Sequence, residues 1–298
     1  MTHVATLISN PQRPALDDAI LAKAVAVLPG AAQPRWLDPA IAADIPFSPK
    51  SANHPRVLND LRSTLGGRPV DVIAQPAAHR RKRLIVADMD STMIGQECID
   101  ELADRAGVRT KVAAITERAM RGEIAFAPAL RERVALLAGL DRGIVEDVIA
   151  SRIRITPGGP ALIATMRAAG AYACLVSGGF TLFTDPIAAA IGFDDSRANR
   201  LVVENGRLTG VVEEPVLGPE AKLATLLELT ARLQLTVFDT LAVGDGANDL
   251  AMLQAAGLGV AYQAKPAVAA KIDARIEHGD LTALLYLQGF RRDEFVTR

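Results

Sequence analysis

Two carboxylates that directly follow a short apolar run constrain this chain more than any other feature. The run Leu84–Ala87 has the length of one buried strand of a parallel sheet and is too short for a helix. Asp88 and Asp90 follow, separated by one residue. On a continuing strand both would share a face and repel each other. We therefore expect the chain to turn there, or a cation to lie between them, at the carboxyl edge where open α/β sheets bind ligands.

Composition limits the class of protein. The 298 residues allow about two domains, half of them are apolar, and the net charge of −1 gives no basic excess for binding nucleic acid or an anionic membrane. Two cysteines, Cys98 and Cys174, form no disulfide framework and fit a reducing compartment. The first residues lack the basic and apolar pattern of a signal peptide, and no apolar stretch reaches transmembrane length, so we expect neither. These observations predict a cytoplasmic protein that contacts neither membrane nor nucleic acid.

Residues 1–78 are predicted to form a small α+β domain. Apolar patterns predict strands at 4–8 and 70–74 and helices at 16–27 and 54–65. Because this part contains no carboxylate pair, histidine cluster or glycine-rich loop, no catalytic role is predicted for it.

Residues 79–298 are predicted to form an α/β domain with a doubly wound, Rossmann-like parallel sheet. Directly after its first strand the pattern becomes helical over residues 97–106, 108–121, 126–137 and 142–153. Such a block is not part of a simple βαβ alternation. We therefore expect a helical cap, at about residues 96–154, that controls the access of water to the site.

Further polar groups follow two later predicted strands, and one more lies on a predicted helix between those strands. Strands at 171–176 and 237–243 lead to Ser177-Gly178-Gly179 and to Gly244-Asp245-Gly246-Ala247-Asn248-Asp249. A hairpin around Asn205-Gly206 and a helix that begins at Lys222 come between them. Since the carboxyl ends of parallel strands meet at one edge, these groups are expected beside Asp88 and Asp90.

Asp88-x-Asp90-x-Thr92 at the end of a buried strand resembles the first motif of the haloacid-dehalogenase-like phosphotransferases. The resemblance implies that Asp88 is the nucleophile and that Asp90 is the general acid/base. Asp88 would form an aspartyl-phosphate. Asp90 would protonate the departing alkoxide and then deprotonate the water that hydrolyses the intermediate.

Such chemistry needs groups that neutralise the phosphate. The Ser177 hydroxyl and the Gly178 N–H can hold phosphoryl oxygens, and Lys222 offers a cation. An all-oxygen set of a few carboxylates and waters suits Mg²⁺. We expect the carboxylates of Asp88 and Asp245 and the backbone carbonyl of Asp90 as its ligands, with Asp249 positioning the groups around the metal.

Several segments are similar to the phosphoserine phosphatases within that superfamily. They are residues 88–94 followed by Glu97, then residues 126–134, 176–180, 198–201 and 243–249. This resemblance implies that O-phospho-L-serine is the substrate, with its ammonium at Glu97 and its carboxylate at Arg133. It also places Phe126 and Met93 on the cap side of the site and Asn248 among the substrate-binding residues. The first 78 residues resemble the amino-acid-binding regulatory domains ahead of some bacterial members.

Other interpretations remain open. A related phosphatase or phosphotransferase could use the same core residues on another small phosphomonoester, without the Glu97 and Arg133 pair. A phosphorylatable switch protein would accept phosphate at Asp88 but needs neither a leaving-group acid at Asp90 nor a cap. An amino-acid sensor would depend on residues 1–78, which could equally serve dimerisation or packing. The sequence fits a monomer or a homodimer.

Overall fold

The computed structural model describes residues 1–49 and 54–296 of the chain. These residues form a four-stranded sheet, a six-stranded sheet and a two-stranded hairpin. The first sheet is antiparallel, with strand order β2-β3-β1-β4 and two helices. Its elements are β1 (His3–Ser9), α1 (Asp18–Val27), β2 (Arg35–Asp38), β3 (Ala42–Phe47), α2 (His54–Thr64) and β4 (Val70–Pro76). Strands β2 and β3 were not predicted, because Asp38, Asp44 and Pro46 interrupt their apolar pattern.

The second sheet is parallel and six-stranded, in the order β12-β11-β10-β5-β6-β7. Its part of the chain contains β5 (Leu84–Ala87), α3 (Cys98–Arg105), α4 (Arg109–Met120), α5 (Phe126–Ala135), α6 (Gly143–Ser151), α7 (Gly159–Ala168), β6 (Tyr172–Phe180), α8 (Thr181–Ile191), β7 (Asp195–Asn199), β8 (Leu201–Glu204), β9 (Arg207–Val212), α9 (Pro219–Arg232), β10 (Thr240–Gly244), α10 (Leu250–Ala255), β11 (Leu258–Tyr262), α11 (Pro266–Ala269), β12 (Ala274–Ile276) and α12 (Ala283–Leu287). The α/β fold class is confirmed. Because β5 lies between β10 and β6, the carboxyl ends of these three strands are neighbours.

Helices α3–α6 form the insert between β5 and α7 that the sequence predicts as a cap. The two chain segments that enter and leave it pair at Ile94 and Ile155, and the Gly95 N–H donates to the Arg154 carbonyl at 3.1 Å. The β8–β9 hairpin also reaches this insert. The Gly139 N–H donates to the Leu208 carbonyl at 2.8 Å. The hairpin therefore links the cap to the parallel-sheet part of the chain.

The antiparallel sheet buries both of its faces. Alternate residues of β1 point to opposite sides: Leu7 packs with α1 and α2, whereas Ile8 belongs to the same apolar cluster as Leu284 and Tyr286 of α12. The sheet thus lies between its own two helices and the parallel-sheet part of the chain.

Buried polar contacts fix this packing. The Asp71 carboxylate on β4 accepts hydrogen bonds from the N–H groups of Glu277, His278 and Gly279 at 2.8, 3.1 and 2.7 Å. Arg80 donates to both oxygens of the buried Asp44 at 2.6 and 3.0 Å, and also to carbonyls of α12. Both β4 and the segment that follows it are therefore hydrogen-bonded to the parallel-sheet part of the chain.

The predicted boundary between residues 78 and 79 falls in the connection between β4 and β5. We propose it as the domain boundary, with the cap at about residues 96–154. Within the described part of the chain, no helix has both the length and the apolar character needed to cross a membrane.

Candidate active site

Most of the predicted site residues line one cleft between the carboxyl edge of the parallel sheet and the helical insert. Asp88 and Asp90 follow β5, Ser177 and Gly178 lie near the end of β6, and Asp245 and Asn248 follow β10. The opposite wall is formed by Glu97, Phe126, Leu130 and Arg133. The sheet order explains this convergence, because β5 has β6 on one side and β10 on the other.

The chain turns sharply after β5 and so separates the two leading carboxylates. Ser91 has a φ of 56°, in the left-handed region, and the Met89 N–H donates to Asp88 Oδ1 at 2.8 Å. Asp88 is buried, and this burial together with the Asp249 carboxylate raises its pKa well above the ordinary value, against the opposing effect of Lys222. A dication bound there would favour its ionised form.

Asp90 is directed towards the end of β6 and the start of α3. Its Oδ1 accepts from the Cys98 N–H at 2.9 Å and its Oδ2 from the Ser177 hydroxyl at 3.0 Å. Burial raises the pKa of Asp90, while these hydrogen bonds oppose the shift. A carboxyl whose pKa is raised retains a proton more readily at neutral pH, which suits a general acid.

Ser177 lies where a side chain on the neighbouring glycines would interfere. A Cβ on Gly179 would come within 3.0 Å of Ser177 Oγ and 3.2 Å of Asp90 Oδ2. A Cβ on Gly178 would lie 3.2 Å from the Phe126 ring. The two glycines therefore leave open space close to the backbone, beside Ser177 and Asp90.

Lys222 is a buried cation between two carboxylates. Its Nζ lies 2.5 Å from Asp88 Oδ1 and 2.5 Å from Asp249 Oδ1. Burial alone would lower the pKa of Lys222, but the two carboxylates raise it above its usual value. The side chain therefore stays charged and can balance negative charge at Asp88.

Three carboxylates form a group with the dimensions of a metal site. One oxygen each from Asp88, Asp245 and Asp249 lies within 4.8 Å of the others, and all three residues are buried. The donors are all oxygens, as Mg²⁺ prefers. Asp249 already contacts Lys222 and accepts from the Gly246 N–H at 2.9 Å, so its geometry suits orienting the other groups. The residues present fit a magnesium ion.

Glu97 and Arg133 are two side chains of opposite charge on the cap side of the cleft. The Ser91 hydroxyl donates to Glu97 Oε1 at 2.8 Å. Although part of Glu97 is exposed, its carboxyl faces the cleft, where burial and the Asp90 carboxylate raise its pKa to about 7. Burial lowers the pKa of Arg133, whose Nε donates to the Ala129 carbonyl at 3.2 Å. Among the described residues, Arg133 forms no ion pair with a carboxylate.

Two of the predicted cap-side residues differ in position. Phe126 lines the cleft, as predicted, and its ring lies against Gly178. Met93 is fully buried in the core, and its Cε lies where a side chain on Gly159 would be. The prediction that Met93 lines the cleft therefore needs correction, because the turn after Asp90 directs this residue into the core, towards Gly159.

Sequence reasoning missed two polar contributions. The first is the Cys98 N–H, which donates to Asp90 Oδ1 at the beginning of α3. The second is Lys265, a mostly exposed cation at the mouth of the cleft, whose Nζ lies 3.7 Å from Asp245 Oδ2. No local pattern marks either residue, because each reaches the site only through the fold.

Comparison with known proteins decides the family. Residues 85–254, from β5 to α10, match the profile of haloacid dehalogenase-like hydrolases. The chain belongs to this family. Within the family it is 47% identical over 210 residues to a phosphoserine phosphatase of Albidiferax ferrireducens, a match that covers 69% of this chain and 89% of the relative. The predicted resemblance to phosphoserine phosphatases is thereby confirmed.

Solved structures of hydrolases in this family have the same fold. A hydrolase of this family from Salmonella enterica serovar Typhi superposes with a TM-score of 0.85 at 29% identity, over 96% of this chain and 98% of the other. A phosphoserine phosphatase with an analogue of its phospho-aspartyl intermediate gives a TM-score of 0.64 at 42% identity, over 69% of this chain and 98% of the other. Three further phosphoserine phosphatases are longer proteins, and the chain's match covers 55, 63 and 53% of their lengths.

Proposed function

We propose that this chain is a Mg²⁺-dependent phosphatase that hydrolyses O-phospho-L-serine to serine and phosphate in serine biosynthesis. The observation that carries the proposal is the cleft in which Asp88, Asp90 and Ser177 face Glu97 and Arg133, with the buried Lys222 in contact with Asp88. One wall suits a phosphoryl group, and the other offers an anion and a planar cation to an amino acid. Relatives with the same activity at 42–47% identity support it.

The first half-reaction would transfer the phosphoryl group to the enzyme. An oxygen of Asp88 forms a bond to phosphorus while the bond from phosphorus to the serine oxygen breaks. Asp90 gives its proton to that oxygen, so that serine leaves as an alcohol. The Ser177 hydroxyl, the Gly178 N–H and Lys222 would bind the phosphoryl oxygens and their growing charge. Mg²⁺ held by Asp88, Asp245 and the Asp90 carbonyl would supply positive charge that brings carboxylate and phosphate together.

The second half-reaction would release phosphate. Asp90, now ionised, takes a proton from a water whose oxygen bonds to phosphorus, and the bond from phosphorus to the Asp88 oxygen breaks. The helical cap would have to admit this water after serine leaves. A phosphoserine phosphatase structure with a phospho-aspartyl intermediate analogue supports such a pathway. On the cysteine usage and charge of the sequence, we also propose a cytoplasmic location.

The test is a phosphate-release assay over small phosphomonoesters, with Mg²⁺ and with excess EDTA. Phosphoserine should be the preferred substrate, EDTA should abolish turnover, and Ca²⁺ should restore it poorly because it favours more ligands and looser geometry. Full activity in EDTA would contradict the metal assignment. A strong preference for a different phosphomonoester would favour a related phosphatase.

Two carboxylate variants test the division of roles. Asp88→Asn should be inactive with every substrate. Asp90→Asn should keep part of its first-step activity on an aryl phosphate, since a phenolate leaves without a proton, and should accumulate phosphoenzyme. Equal loss on both substrate types with no trapped phosphoenzyme would overturn this division.

A further inference from the structure

Residues 177–179, to which the proposed function assigns the phosphoryl group, form a bulge within β6. In the pairing of β6 with β7, Val176 lies opposite Arg197 and Phe180 lies opposite Asn199. The three residues Ser177–Gly179 therefore face one residue of the partner strand. A bulge of this kind interrupts the ladder and leaves backbone groups without a strand partner. Another group must hold its shape.

The carboxamide of Asn199 supplies the missing contact. Its Nδ2 donates to the Gly178 carbonyl at 2.9 Å. The N–H of the same peptide group, that of Gly179, donates to Ser177 Oγ at 2.8 Å, and the Ser177 hydroxyl donates to Asp90 Oδ2 at 3.0 Å. A single rigid peptide plane thus separates Asn199 from the Ser177 hydroxyl. Rotation of this plane would break the hydrogen bonds on both of its sides.

The same carboxamide holds the segment that leads to Lys222. The Leu217 N–H donates to Asn199 Oδ1 at 2.7 Å, and Asn199 Nδ2 also donates to the Leu217 carbonyl at 3.2 Å. Leu217 lies just ahead of α9, which carries Lys222. Asn199 is 2% exposed, so the cost of leaving these backbone groups unpaired would be high. A carboxamide can donate to carbonyls and accept from an N–H at once, which a carboxylate cannot.

We propose that Asn199 is a positioning residue for the phosphoryl group. It fixes the Gly178–Gly179 peptide and thereby the position of Ser177 Oγ beside the proposed phosphoryl site, and it ties this bulge to the segment before Lys222. The inference rests on the proposed function in one respect, which is that a phosphoryl group binds at Ser177. It requires no particular leaving group.

The experiment measures the dissociation constant of inorganic phosphate by calorimetry, with Mg²⁺, and kcat/KM for p-nitrophenyl phosphate. Asn199→Asp keeps an acceptor for the Leu217 N–H but removes the Nδ2 hydrogen bonds to the carbonyls of Gly178 and Leu217. Asn199→Ala removes all three hydrogen bonds. Both variants should weaken phosphate binding about tenfold or more, the loss expected for a hydrogen bond to a charged group. Thr165→Val is the matched control, since Thr165 is equally buried and its hydroxyl accepts from the Val296 N–H, far from the cleft residues. It should leave phosphate binding within about twofold.

A double-mutant cycle separates positioning from a general loss of packing. If Asn199 acts through Ser177, then Ser177→Ala should cost about tenfold in the wild-type background and less than about threefold in the Asn199→Ala background. Independent, multiplying losses would overturn the proposal, and so would phosphate binding that Asn199→Asp leaves unchanged. If Asn199→Ala fails to fold, Asn199→Ser, which retains one donor, replaces it in the cycle.

The outcomes distinguish this inference from the proposed function. A wild-type protein that binds phosphate, shows the coupling and does not hydrolyse phosphoserine contradicts the proposed substrate and supports the role of Asn199. A wild-type protein that binds no inorganic phosphate overturns the positioning role, because no phosphoryl site would then exist to be held.

Discussion

Arg133 is the side chain on which the proposed choice of substrate depends. Its guanidinium lines the cleft without a carboxylate partner among the described residues, so a substrate carboxylate would be its first one. A bidentate contact of this kind contributes roughly 2–3 kcal/mol, or about 30- to 150-fold in kcat/KM.

We therefore expect Arg133→Ala to lose about that factor on phosphoserine and little on phosphoethanolamine, which lacks the carboxylate. Arg133→Lys should recover only part of it, since an ammonium cannot make the planar contact. Steady-state kinetics on the two substrates measure this, with Arg118→Ala, an exposed arginine paired to Glu132 on the same insert, as control. Equal slowing of both substrates would place Arg133 on the phosphate side or in a structural role.

Glu97 makes a prediction about stability and pH. Its pKa of about 7 in the folded protein lies above its ordinary value of 4.5, so the folded state holds the proton more tightly than the unfolded state. The contribution of Glu97 to the free energy of unfolding is therefore fully present below the pKa that this carboxyl has in the unfolded chain. It is lost as the pH rises through the pKa in the folded protein. Glu97→Gln, which cannot ionise, should thus raise Tm relative to wild type at about pH 8 and not at about pH 4.

Thermal unfolding of the metal-free protein across this range checks the prediction. Glu146→Gln, at an exposed glutamate of α6, serves as the control and should show no such trend. A Tm difference for Glu97→Gln that is independent of pH would contradict the raised pKa.

The hairpin β8–β9 links the cap to the parallel-sheet part of the chain, and its Gly210 lies against Ala135 and Ala138 of the cap. Gly210 has a φ of 82°, and a Cβ there would lie 2.9 Å from the Ala138 Cβ. Gly206, at the turn, has a φ of 76° with no atom within 4 Å of such a Cβ. The two glycines therefore share the backbone requirement and differ in the space around them.

Gly206→Ala should cost only the left-handed backbone strain, about 1–2 kcal/mol. Gly210→Ala should cost about 1–3 kcal/mol more, because it also forces the hairpin away from the cap. Urea denaturation of the two variants measures the difference, and limited proteolysis of the insert should show faster cleavage for Gly210→Ala. Equal losses of stability would mean that the contact with Ala138 yields at little cost.

At the level of the whole molecule, the antiparallel sheet packs directly against the parallel-sheet part of the chain. Leu7 packs in the apolar cluster with α1 and α2, and Ile8 packs in the cluster that includes α12. Asp71 accepts hydrogen bonds from the backbone that follows β12. Asp71→Ala would leave the buried N–H of Gly279 and its neighbours without their acceptor, at a cost of about 1–3 kcal/mol each if none finds water.

Denaturation of Asp71→Ala should therefore show a loss well above that of Asp60→Ala, whose side chain is exposed on α2. Residual phosphatase activity under native conditions should be retained, because no proposed catalytic residue precedes Asp88. Loss of activity in a stable, folded Asp71→Ala protein would assign residues 1–78 a part in the site.

Local pattern alone determined much of this protein. The buried strand before Asp88, the four helices of the insert and the polar groups after β6 and β10 all follow from apolar periodicity and turn residues within short windows. The convergence of Asp88, Ser177 and Asp245 then follows from one rule, that parallel strands end at a common edge.

Only the tertiary structure decided the rest, because contacts between distant residues leave no local signal. Nothing near Met93 indicates that the turn after Asp90 buries it, and nothing near Asn199 indicates that its carboxamide completes a bulge in another strand. The local sequences of strands β2, β3, β7 and β12 likewise do not predict strands. These segments become strands because neighbouring strands supply their hydrogen-bond partners. The sequence thus determined which groups are available for chemistry, and the packing of the sheets, insert and hairpin decided which of them meet.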